Sequence, residues 1–78
     1  MSDKVFTAIY HRNGVLVGDI SIRKESEKLP KIIEFIESMG NDIQVESAGS
    51  ILTITKLFDM ESIDEANLFI ESFFEFID

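Results

Sequence analysis

At 78 residues the chain has room for one hydrophobic core, because a domain of this size buries only about 60% of the surface its unfolded form exposes. An apolar fraction of 45%, with seven Phe and one Tyr, is that of a folding chain, and the absence of Cys removes disulfides, thiolate nucleophiles and cysteine-ligated metal. The formal charge of −8 is segregated: residues 1–31 hold six Lys/Arg against four Asp/Glu, whereas residues 32–78 hold one Lys against eleven Asp/Glu, a balance that disfavours direct nucleic-acid binding and suits a basic protein partner.

The chain opens on a hairpin. Val5 to His11 alternates in side-chain character, Asn13-Gly14 follows, and Val15 to Arg23 resumes a β-branched run. Asn-Gly is the strongest short hairpin signal, since both central residues of a type I′ turn need positive φ. With Arg12 opposite Val15, His11 faces Leu16, Ile9 faces Gly18, Thr7 faces Ile20 and Val5 faces Ile22 on the side expected to meet the core. The other side carries Phe6, Ala8, Tyr10, Val15, Val17, Asp19 and Ser21, which is apolar for a solvent face.

A first helix is predicted from about Glu27 to Met39, with Pro30 tolerated in the first turn and Gly40 closing the C-terminus. Leu29, Ile32, Ile33, Phe35, Ile36 and Met39 then occupy an arc of about 160° that must be buried. Ile43 to Ser47 and Ile51 to Leu57 form a second hairpin about Ala48-Gly49-Ser50, whose loop is either two or four residues long. Both registers put Ile43, Val45, Leu52 and Ile54 on one side and Gln44, Glu46, Thr53 and Thr55 on the other. Ser62-Ile63-Asp64-Glu65 reads as a capping box that starts a second helix running to the end of the chain. Its apolar arc holds Ile63, Ala66, Phe69, Ile70, Phe73, Phe74, Phe76 and Ile77, and on its opposite face Leu68 sits among Asp64, Glu71 and Glu75.

The order is ββαββα, and Phe35-Ile36-Glu37-Ser38 returns as Phe69-Ile70-Glu71-Ser72, so residues 1–40 and 41–78 read as two ββα units of a single domain. Each unit alone exposes an apolar surface that it cannot bury. The expected fold is therefore α+β, a two-layer sandwich in which a four-stranded antiparallel sheet carries both helices on one face.

No catalytic motif accompanies this fold. His11, the single His, lies at the hairpin tip on the core side, where it reads as a partly buried structural residue rather than the base of a triad. The acids between Asp59 and Glu65 fail as a calcium loop, because Ile63 stands where an oxygen ligand is needed and Asp64 where a Gly is needed. They suit the positive end of a helix dipole instead. The glycines fall in turns, after a helix, or, for Gly18, inside a strand, where a bulge is expected ahead of a close backbone approach; none cradles a phosphate, and no cofactor is implied. Arg23, Lys24, Lys28 and Lys31 form the one basic cluster, interleaved with Glu25, Glu27 and Glu34, and Glu27 to Lys31 reads as an i,i+4 pair on a self-neutralised edge.

From Ile20 onward the chain reads strand, helix, hairpin and a long amphipathic helix after an acidic capping segment. This layout resembles the Pcc1 family, small dimerising subunits of the KEOPS complex, which makes the threonylcarbamoyl modification of tRNA. That family has basic and small residues early in its last helix where this chain has Asp64, Glu65, Asn67 and Leu68, and this chain adds an N-terminal strand. What the resemblance implies is a small non-catalytic assembly subunit.

The expected function is a small acidic, non-enzymatic protein-interaction module, a homodimer or a subunit of a larger complex. One candidate interface is the apolar sheet face of Phe6, Tyr10, Val15 and Val17. The other is the acidic helix face of Asp64, Leu68, Glu71 and Glu75, which also fits an inhibitor or nucleic-acid mimic that blocks a basic groove on its target. Nothing near Met1 reads as a signal peptide and no run approaches a membrane span, so a cytoplasmic location is expected.

Overall fold

The Asn-Gly turn forms as its chemistry requires: Asn13 and Gly14 hold φ of 52° and 81° between strands β1 (Val5–Arg12) and β2 (Val15–Arg23). The computed structural model describes residues 5–77. Its β1–β2 register runs from Arg12 opposite Val15 to Val5 opposite Ile22 without interruption. Gly18 is therefore no bulge. It sits in a continuous ladder, and a Cβ there would lie 3.2 Å from Phe58 and 3.4 Å from Phe69, so the glycine serves the close approach of two aromatic rings.

Helix α1 (Leu29–Met39) begins two residues later than the periodicity predicts. The Ser26 hydroxyl accepts the Lys28 amide at 3.1 Å and the Ser26 carbonyl accepts that of Leu29, so the turn before the helix satisfies donors that an earlier helix start would have used. Gly40, at φ 63°, ends α1 and opens a short 3₁₀ turn, Gly40–Asp42. Strands β3 (Gln44–Ala48) and β4 (Ile51–Phe58) pair from Ala48 opposite Ile51, which settles the loop at two residues, Gly49-Ser50, with Gly49 at φ 59°. Helix α2 (Ile63–Ile77) follows Ser62, whose carbonyl accepts the Ala66 amide at 3.1 Å.

The sheet is antiparallel in the order β1-β2-β4-β3. Its central strands are the most apolar: Leu16, Ile20 and Ile22 of β2 and Ile54 and Phe58 of β4 are all buried. They meet Ile32 and Phe35 of α1 and Ala66, Phe69, Phe73 and Ile77 of α2, so one core lies between the sheet and the two helices. The helices run antiparallel. Lys28, just before α1, donates from Nζ to the Ile77 carbonyl at 2.9 Å, while Phe35 stacks against Phe69, Phe73 and Phe76 with centroids 5.3–6.1 Å apart. Each buried arc is narrower than the periodicity implies, since Ile33, Ile63, Phe74 and Phe76 are exposed. Two helices side by side on four strands cannot each bury 160° of surface, and β3, exposed along its length, is left largely outside their cover.

Candidate functional site

The outer face of the sheet, opposite the helices, is less apolar at its centre than the residue pattern suggests. Tyr10 donates from its hydroxyl to one Asp19 carboxylate oxygen at 2.8 Å, and Thr55 donates to the other at 2.8 Å. Ser21 and Thr53 share a hydrogen bond of 3.1 Å one step along. These bonds run across β1, β2 and β4 and leave a satisfied polar strip. The bond to Asp19 raises the Tyr10 phenol above the usual tyrosine range, with desolvation and the adjacent negative charge acting in the same sense. Such a phenol stays protonated at neutral pH and is a poor base or nucleophile.

Of the four residues proposed for this face, Phe6 is 63% exposed, Tyr10 is exposed and Val15 partly so, but Val17 is fully buried. Val17 lies between Tyr10 and Leu57 in the register, so it supports the face without offering surface to a partner. Leu57, which the sequence pattern did not single out, is exposed there instead. His11 is exposed as well, not partly buried, because β1 is an edge strand whose tip extends past the helices' cover.

The opposite side carries a groove. Phe35 and Met39 of α1, Glu65, Leu68, Phe69 and Ser72 of α2, and Lys56 and Phe58 of β4 line an open depression of about 260 Å³. Antiparallel packing brings the end of α1 beside the start of α2, and β3 stops opposite Thr55, so the last inward-facing residues of β4 have no strand beyond them. Lys56 lies with its Nζ 5.2 Å from the centroid of the Phe58 ring, a cation–π contact that keeps the cation close to the groove floor. A charged residue at an inward position between Ile54 and Phe58 was the available signal for this feature.

Leu68 is 58% exposed and belongs to this groove rather than standing alone among acids. Asp64, Glu71 and Glu75 are exposed on the same helix, three, four or seven residues from Leu68, so they share its face and Glu65 continues the negative charge into the groove. In the basic cluster, Arg23 pairs with Glu25 at 3.7 Å, both well exposed, and Lys28 reaches the end of α2. Glu27 precedes α1, so it does not form the intrahelical pair with Lys31 that a longer helix would allow. Among the described residues no group of His, Asp and Glu side chains gathers as a metal site, and no helix is long and apolar enough to cross a membrane. No family model, curated protein or solved structure matches the chain.

Proposed function

We propose that this chain is a small acidic protein-interaction module whose groove receives a basic, amphipathic segment of a partner protein. One observation carries the reading: an apolar groove of about 260 Å³ runs beside a helix face of carboxylates, with Leu68 exposed where the two meet. That volume is below the roughly 300–1,000 Å³ of small-molecule sites and suits one or two inserted side chains. Asp64, Glu65, Glu71 and Glu75 would steer a cationic partner, and burial of its apolar residues against Leu68, Phe58 and Met39 would hold it. The Pcc1-like layout points the same way, to a subunit of a larger assembly. An inhibitor that offers these carboxylates to a basic groove would use the same face, but it leaves the apolar floor unused.

The test is capture of a partner from lysate by wild type, Leu68→Ser and Glu71→Lys/Glu75→Lys at low and high salt. Both variants should lose most binding, and wild-type binding should weaken as salt rises. Equal capture by all three, with no salt dependence, would sink the reading. Self-association is a second reading, favoured by the exposure of Phe6, Tyr10 and Leu57 on a face whose described acids are few and in which Asp19 is held by two hydrogen bonds.

A further inference from the structure

Among the described residues strand β1 is a sheet edge with unspent hydrogen-bonding capacity. The turn bond that closes the two-residue loop makes Arg12 and Val15 a hydrogen-bonded pair, and such pairs alternate along an antiparallel ladder. Arg12, Tyr10, Ala8 and Phe6 therefore turn their backbone groups toward β2. Val5, Thr7, Ile9 and His11 turn theirs away from it, to the free edge. Edge strands are ordinarily blunted by Lys, Pro, a bulge or short length. Here β1 spans eight residues, pairs without a bulge, contains no Pro, Gly, Lys, Asp or Glu, and has Arg12, at its tip, as its one Arg. The other edge, β3, has five residues and carries Glu46.

We propose that two copies of the chain join through β1, antiparallel and edge to edge about a twofold axis at Ala8, merging their sheets into one. This rests on the self-association reading above and specifies its geometry. Charge favours this edge: in a chain of net charge −8 most surfaces repel their own copies, whereas β1 has no acidic residue. The register follows from the edge. Only with Ala8 on the axis does each of Val5, Thr7, Ile9 and His11 meet another outward-facing residue of β1: Val5 opposite the partner's His11 and Thr7 opposite the partner's Ile9. Those four pairs supply about eight backbone hydrogen bonds. The same register sets Phe6 against the partner's Tyr10 on the outer face, a cross-strand aromatic pair repeated by symmetry. It also closes the edge, so association stops at two copies.

The chain has no Cys, which permits a geometric test. Across the axis the two Ala8 residues form a non-hydrogen-bonded pair, with Cα atoms about 4.5 Å apart, inside the range a disulfide spans. Phe6 and its own copy lie four residues out of step, about 13 Å apart, beyond that range. Wild type should sediment as a dimer at tens of micromolar, and under mild oxidation Ala8→Cys should crosslink at least about tenfold faster than Phe6→Cys, both positions being exposed. A dimer in which the two variants crosslink equally overturns edge pairing and leaves face-to-face association standing. A monomer overturns both.

Discussion

Replacing Phe73 by Ala removes a fully buried ring from the middle of α2, where it meets Phe35 edge-on with centroids 5.3 Å apart. The lost transfer free energy is about 2 kcal/mol. A residual cavity on the order of 100 Å³, at roughly 24 cal/mol per Å³, adds a similar amount, and the total falls within the 3–5 kcal/mol range for buried Phe→Ala. A domain of this length has a stability of about 4–12 kcal/mol, so the change consumes much of it. Far-UV circular dichroism through a urea titration is the assay, because the chain has no Trp and a single Tyr on the outer face. Phe73→Leu, expected to cost about 1 kcal/mol, keeps the position measurable if the Ala variant is unfolded. Phe74→Ala is the control: its ring is 40% exposed and its loss should cost about 1 kcal/mol. A cost below about 1 kcal/mol at Phe73, or equal costs at the two neighbours, would mean that α2 buries a different face.

Three further outcomes follow from the same contacts. Tyr10 is the only Tyr, so its absorbance titration should have a midpoint above the ordinary value of about 10, and Asp19→Ala should bring it back. Because the folded value is the higher one, this contribution to stability is complete below pH of about 10 and is lost as pH rises through the folded value; a wild-type stability that does not decline there would refute the Tyr10–Asp19 bond. Gly18→Val should lower the urea midpoint by an amount equivalent to about 1–3 kcal/mol, since its side chain must displace Phe58 and Phe69; an unchanged midpoint would show that the rings can yield. Leu68→Ser should leave the midpoint within about 0.5 kcal/mol while removing partner capture, and a large stability loss would place Leu68 in the core instead of on the groove.

The element order and the β1–β2 register were legible in the chain itself, because strand and helix side chains repeat with periods of 2 and 3.6 residues and the Asn13-Gly14 turn leaves one pairing. The inward and outward faces of β4 were legible for the same reason, as was the exposure of Leu68. The sequence did not specify that β2 and β4 would meet at the centre, that Gly18 would lie beneath Phe58 and Phe69, or that Val17 would be buried while Phe74 was not. Nor did it reveal the groove, whose lining comes from α1, β4 and α2. Periodicity fixes the direction of each side chain relative to its own element. Burial, close approach and concavity depend on which distant element packs against it, and only the tertiary structure makes that choice, by bringing the most apolar strands and helix faces together.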